Sequence, residues 1–305
     1  MTLQQIYYAL TVAKVGSLNQ AARFLYMTQP SLTSAIKELE QEIGITIFYR
    51  TTKGMLPTEK GSEFLASARQ LYQQYELLSD MYTGQKELKK KFGVSTQHYS
   101  FAVKAFVETV KQFGSSEYQF SLQETRTNDV IRDVAEYRSE IGILFFSEFN
   151  RNYLKKRLAE RGLAFFSLIQ CKAYVYLWKG HPLAKHEKIL MQDLLAYPCL
   201  SFEQGEEDSL FFAEEILGEK KYPKKIKTND RATMLNLMIG LNGYTLCSGI
   251  ISEELNGSDY VMVPFSEDEE NKNSEMTIGY IVRQSGKISD VGEVYLTELR
   301  KALVK

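Results

Sequence analysis

Residues 3–15 carry Leu3, Ile6, Tyr7, Leu10 and Ala13 at the spacing of one helical face, and Gly16 stands where such a helix would end. Ser17-Leu18-Asn19-Gln20 has the order of a capping box, hydroxyl first and amide three residues later, and starts a second helix. Its inward face is Leu18, Ala21, Ala22 and Leu25, where the paired alanines let another helix come close. Tyr26-Met27 make a tight turn, and Thr28 caps a third helix that tolerates Pro30, because first-turn amides have no intrahelical partner. At about 100° per residue, Ala35, Ile36, Leu39 and Ile43 fall within about 60° of Leu32. Pro30, Ser34, Lys37 and Gln41 cluster on the opposite side with Thr33 beside them, and Gly44 stops the helix. Two short strands, 45–48 and 55–56, flank a glycine-containing turn with Arg50 and Lys53 at its tip. Thr58-Glu59 caps a fourth helix whose apolar stripe is Phe64, Leu65, Ala68, Leu71, Tyr72, Tyr75, Leu78 and Tyr82. Carried to about residue 88, it spans roughly 45 Å. Such a stripe needs a partner, most simply the same helix of a second subunit.

Three helices followed by a basic hairpin make a winged helix-turn-helix over 1–58, with a linker and dimerisation helix over 59–91. The charge run Lys86-Glu87-Leu88-Lys89-Lys90-Lys91 closes that helix as a solvated end. From Phe92 the pattern alternates. Strands are expected at 92–98, 118–124, 140–146, 163–169, 172–178, 198–202, 244–248, 260–265 and 275–282. Helices are expected at 100–113, 127–138, 150–161, 207–217, 230–242 and 291–303. This alternation predicts an α/β domain over 92–305 with a mostly parallel sheet. Its length and late return helix suit two lobes joined by crossing strands, lobe I at about 92–166 and 271–305 and lobe II at about 167–270.

Composition narrows the function classes. The 305 residues suffice for two domains, and 19 Tyr with 17 Phe exclude disorder as the dominant state. No uninterrupted apolar run is long enough for a membrane span, and the first residues show no basic leader before an apolar run. Cys171, Cys199 and Cys247 are odd in number and far apart, which fits reduced thiols in a cytoplasmic protein. A net charge of −1 hides an asymmetry: residues 1–92 have 11 Lys/Arg against 8 Asp/Glu, which favours a polyanion partner at that end. No catalytic constellation is legible: G-x-S-x-G, H-E-x-x-H, Walker and G-x-G-x-x-G patterns are all missing. Cys199 and Cys247 read as small core residues, and His181 and His186 as a surface turn, so neither an enzyme nor a metal site is expected. A solute-binding protein or a small-molecule hydrolase could share the two-lobed domain, but neither accounts for the N-terminal module.

Five blocks carry a family resemblance: Ala21-Ala22-Arg23-Phe24-Leu25, Thr28-Gln29-Pro30-Ser31-Leu32, Ile36-Lys37-Glu38-Leu39-Glu40, Gly44-Ile45-Thr46-Ile47-Phe48-Tyr49-Arg50 and Pro57-Thr58-Glu59-Lys60-Gly61. In order and spacing they resemble the LysR-type transcriptional regulators over about 60 residues. The remainder looks like that family's effector domain more loosely, through Gly142-Ile143-Leu144, His181-Pro182-Leu183-Ala184 and Gly240-Leu241-Asn242-Gly243. Ala35 and Ser248 depart from the pattern, standing where the family commonly has a long polar side chain and a proline.

The resemblance implies that the third helix enters the major groove with its N-terminal residues on base edges. Gln29 offers a donor and an acceptor together, as adenine requires, and Lys37 reaches guanine or a phosphate. Pro30, Ser31, Thr33 and Ser34 allow close approach, and Arg50 and Lys53 meet phosphates or the minor groove. The expected partners are operator DNA, a second copy in a dimer of dimers, and RNA polymerase, with no membrane. No cofactor is implied, only a small-molecule effector. Candidate effector contacts are Ser95, Thr96, Gln97, His98, Thr127, Phe202, Gln204 and Thr245. Hydroxyls and amides at 94–100, where a strand runs into a helix, suit an organic or inorganic anion. Glu203 would repel one, which leaves a polar or cationic effector open.

Overall fold

The computed structural model describes residues 1–52, 54–83, 90–113, 117–205, 209–266 and 274–304, divided into two compact units, Met1–Leu88 and Lys89–Lys305. In the first unit, α1 (Leu3–Val15) is capped by Thr2, whose hydroxyl accepts the Gln5 amide while the Gln5 side chain accepts the Thr2 amide. Helix α2 (Leu18–Phe24) is capped by Ser17, and α3 (Gln29–Ile43) by Thr28. Ala9, Val12, Ala21, Leu32 and Leu39 are fully buried where the three helices meet. The hairpin is β1 (Phe48–Thr51) against β2 (Gly54–Pro57), antiparallel.

The first strand begins three residues later than the apolar run 45–48 suggests. Glu40 Oε1 accepts the amides of Ile47 and Phe48, at 2.6 and 3.1 Å, so those donors serve the end of α3 rather than a neighbouring strand. Arg50 therefore stands within the ladder opposite Met55, not at the tip, and Lys53 lies outside the described residues. Gly54 is fixed by close approach: its φ is +124°, a Cβ there would stand 2.4 Å from the Gly16 carbonyl oxygen, and that oxygen accepts the Met55 amide. Helix α4 (Glu59–Thr83) buries Leu65 and Ala68 and stacks Tyr72 on Tyr7, whereas Leu71, Tyr75 and Leu78 are exposed. Residues 84–89, most of the expected charge run, lie outside the described residues; Lys90 and Lys91 open a strand instead of closing the helix.

The second unit begins with β3 (Lys90–Thr96), α5 (Ser100–Gln112), β4 (Tyr118–Glu124), α6 (Thr127–Ala135), β5 (Ile141–Ser147), α7 (Arg151–Glu160) and β6 (Leu163–Lys172). The second lobe holds β7 (Tyr174–Trp178), α8 (Met191–Leu194), β8 (Cys199–Phe202), a 3-10 turn at Leu210–Phe212, β9 (Lys225–Thr228), α9 (Arg231–Leu241), β10 (Thr245–Cys247), α10 (Glu253–Asn256) and β11 (Tyr260–Pro264). The chain then returns through β12 (Glu275–Arg283) and α11 (Asp290–Leu303). All seven residues of β5 are buried, as a strand covered on both faces requires.

The architecture is mixed α/β, and five expectations change. The sheet ordered β4-β3-β5-β12-β6 is parallel only across β3–β4 and β3–β5; β12 runs antiparallel to both neighbours, and β10-β7-β11 is antiparallel throughout. Lobe I keeps β6 as far as Lys172, opposite Glu275, so the crossing falls later than residue 166. Strand β9, pairing parallel with β8, was hidden in a lysine-rich stretch that reads as loop. The helix expected at 207–217 is not formed over the described residues. Glu214, Glu215, Ile216, Leu217 and Gly218 are buried in succession or nearly so, and a segment enclosed on every side has no helical face to alternate. His181 is also buried rather than on a surface turn. Its Nδ1 accepts the Leu183 amide and its Nε2 donates to the Asn242 carbonyl, while burial lowers its pKa.

Candidate functional site

Two surfaces concentrate chemistry, one in each unit. On α3 the buried Leu32, Ile36 and Leu39 turn the opposite face outward, leaving Gln29, Pro30, Ser31, Ser34 and Lys37 exposed and Thr33 half-buried. The first turn is ordered by its own side chains. Gln29 Nε2 donates to Thr33 Oγ1 at 2.9 Å, Thr33 Oγ1 donates to the Gln29 carbonyl, and the Thr28 and Ser31 hydroxyls are bonded at 2.8 Å. Arg50 is exposed on β1. The face thus presents amide, hydroxyl and ammonium groups on a rod about 10–12 Å across, the width a major groove admits.

In the second unit, the turn between β3 and α5 meets the start of α9 and the ends of β8 and β10 around a cavity of about 80 Å³. His98, Phe202 and Thr245 line it. The other expected effector contacts, Ser95, Thr96, Gln97, Thr127 and Gln204, do not. Ser95 is consumed by the interior, with its hydroxyl donating to Asp133 and bonded to Ser139. Gln97 Nε2 donates to Thr127 Oγ1 at 2.6 Å, the Thr127 amide donates to Gln204 Oε1, and Gln204 Nε2 donates to Glu214 Oε1. Glu214 Oε2 also accepts the His98 amide at 3.0 Å and faces His98 Nδ1 at 2.8 Å. The His98 ring lies flat on Phe202, centroids 3.8 Å apart. Among the described residues three further ion pairs join the lobes, Arg126–Glu203 at 3.1 Å, Arg231–Glu124 at 2.9 Å and Lys104–Glu254 at 3.2 Å.

Four of the expected residues therefore meet in one chain of hydrogen bonds with Glu214, which the sequence reading missed together with Glu215 and Arg231. The available signal was a pair of adjacent acids inside the apolar run 210–217, where an amphipathic helix would have turned them to water. Burial alone would lower the His98 pKa, but the hydrogen bond and charge of Glu214 overcome it and the imidazole is held above its ordinary value. Burial pushes Glu215 up to about 8, with the neighbouring Glu214 charge adding to it. Burial also raises the Cys171 thiol to about 11 and Cys199 to about 12, so both stay protonated near neutrality.

A winged helix-turn-helix with an outward polar recognition face, on one chain with a two-lobed domain enclosing a cavity, defines a DNA-binding regulator with a small-molecule domain. Residues 3–62 match the bacterial regulatory helix-turn-helix of the lysR family, and residues 97–303 match the LysR substrate binding domain. The chain belongs to the LysR family of transcriptional regulators. It is 22% identical to the HTH-type regulator YbhD of Escherichia coli over 293 residues, 94% of this chain and 87% of the relative. It also superposes on a full-length OxyR variant from Pseudomonas aeruginosa with a TM-score of 0.64 at 16% identity, covering 99% of this chain and 94% of that one. The same fold is seen in full-length CbnR complexed with its target DNA, at a TM-score of 0.57 and 16% identity, covering 99% of this chain and 100% of that one.

Proposed function

We propose that α3 reads an operator in the major groove through Gln29, Ser31, Thr33, Ser34 and Lys37, with Pro30 allowing close approach and Arg50 on the phosphates. The observation that carries this is the division of α3 itself: one face packs into the core through Leu32, Ile36 and Leu39, and the other offers groups that pair with base edges or phosphates. Lys53, outside the described residues, is assigned the same phosphate role from its place in the sequence. The exposed Leu71, Tyr75 and Leu78 support pairing of α4 with its counterpart in a second copy, and two such pairs give a dimer of dimers that spaces the half-sites. This reading places the protein in the cytoplasm and makes RNA polymerase its downstream partner.

The cleft is the effector site, and it binds its ligand without transforming it. Lobe I reaches lobe II through His98–Glu214, Thr127–Gln204, Arg126–Glu203 and Arg231–Glu124. A ligand that favours one arrangement of these contacts shifts the equilibrium by its difference in affinity for the two arrangements. The test is genome-wide footprinting with and without candidate metabolites. Discrete protected sites that change occupancy with a metabolite are expected; uniform, salt-sensitive coverage without discrete sites would remove the assignment of α3.

A further inference from the structure

The charges around the cavity are unevenly satisfied. Glu214 is saturated by the His98 amide and imidazole and by Gln204. Arg231 gives its guanidinium to Glu124 and to Asn256 Oδ1. Glu215 is different. It is 7% exposed, accepts the Phe202 amide at 2.8 Å, and has no cationic side chain within ion-pair distance among the described residues. Thr245, 6% exposed and lining the same cavity, has a hydroxyl with no hydrogen-bond partner among the described residues. The rest of the wall is largely apolar or aromatic, with Tyr99, Tyr176, Phe202, Met234, Leu235 and Ile251.

We infer that the effector is a protonated amine on an apolar body, its ammonium meeting Glu215 and the Thr245 hydroxyl while aromatic rings cover the remainder. This rests on the reading of the cleft as the effector site. A buried carboxyl without a cation and a buried hydroxyl without a partner both lack what an ammonium supplies, three donors and a positive charge. Tyr99, Tyr176 and Phe202 add ring faces, which attract cations. An anion would instead have to take Arg231 from Glu124 and lie against two acids.

Binding is coupled to protons. The charges acting on Glu215 are Glu214 beside it and Lys225 at the start of β9, and Glu215 in turn acts on His98, Tyr99, Cys199 and Tyr222 around it. Burial and Glu214 keep Glu215 protonated up to about pH 8, so an arriving ammonium expels that proton. Affinity for an amine therefore rises with pH and levels off above about 8.

Titration calorimetry of the full chain with phenethylamine and hexylamine, against 3-phenylpropionate, hexanoate and 2-phenylethanol, tests this. The amines are expected to bind at least roughly tenfold tighter than the matched acids. They should release close to one proton near neutrality, read from the heat difference between buffers of unlike ionisation enthalpy. Glu215→Gln, which keeps an acceptor for the Phe202 amide, should weaken the amines about tenfold or more and abolish the proton release. Thr245→Val should weaken them a few-fold, and serves as the second variant if Glu215→Gln melts early. Acids or the alcohol binding where amines do not would overturn the amine assignment and leave the effector site standing. If all five compounds are silent, the amine assignment and the reading of the cleft fail together.

Discussion

The two units treat their functional polar groups in opposite ways. On α3 the amide, hydroxyls and lysine point away from the core, and the fold beneath them is held by Leu32, Leu39 and the alanines of α2. Where the lobes meet behind the cavity, Gln97, Thr127, Gln204 and Glu214 are buried and hold one another. Recognition of a duplex needs side chains that leave the protein surface, whereas recognition by a closing cleft needs side chains that are also part of its walls. Affinity and stability should therefore be separable in the first unit and inseparable in the second.

The largest effect is expected where they are inseparable. Glu214→Ala strips three donors of their acceptor and leaves His98 and Gln204 buried without it. Breaking a buried pair of this kind costs about 3–5 kcal/mol. For a unit of this size that lowers Tm by on the order of 10 °C, readable by calorimetry. A variant that melts with the parent would show that the network is not what ties the lobes. On the other side of the comparison, Gln29→Ala combined with Lys37→Ala should weaken operator binding about 100-fold or more, at roughly 1–3 kcal/mol for each base-reading side chain removed. Tm should stay within about 1 °C, since substitutions at exposed positions rarely exceed ±0.5 kcal/mol. Quantitative gel shift and melting on one preparation would check both halves.

This contrast also explains how far the sequence could be read. The helix-turn-helix was legible because its periodicity is that of a half-buried helix: Leu32, Ile36 and Leu39 return on one face, and Thr28 and Gly44 mark the ends. The cleft was only partly legible. Gln97, His98, Thr127 and Gln204 could be chosen from strand ends and helix starts, but nothing local says that they bond to Glu214, more than 100 residues after His98. The apolar run 210–217 invited a helix, but Glu214 to Gly218 are buried in succession, and a segment without an exposed face gives local pattern nothing to separate helix from irregular chain. The hairpin misled on a smaller scale, because Glu40 takes amides that an isolated strand would have offered to its neighbour.

A smaller effect should appear in the pH dependence of stability. The folded-state pKa of His98 is raised, so its contribution is complete below the ordinary 6.5 and is lost as pH rises through the folded value. Glu215 is raised from an ordinary 4.5 to about 8, so the folded chain holds a proton that the unfolded chain has released, and stability falls across that interval before levelling. The two trends share a sign and add. Thermal melts at pH 6, 7 and 8 should show Tm falling by several degrees, at a limit of about 1.4 kcal/mol per pH unit for each proton. Glu215→Gln should flatten most of the slope; a Tm that rises with pH would contradict both assignments.

The smallest effect separates two adjacent hydroxyls that the sequence treats alike. Ser95 and Thr96 both end β3 and are both fully buried, but Ser95 is bonded to Asp133 and Ser139 while Thr96 Oγ1 has no partner among the described residues. Removing Ser95 Oγ leaves the Asp133 carboxylate short of a donor in the interior, so Ser95→Ala should cost about 1–3 kcal/mol. Thr96→Val replaces an unpaired hydroxyl by a methyl group of nearly the same shape, so the folded state loses no bond and is relieved of a buried polar atom. Its Tm should hold or rise by about 1–3 °C in ligand-free protein. A loss in Tm as large as that of Ser95→Ala would mean that the Thr96 hydroxyl is bonded after all.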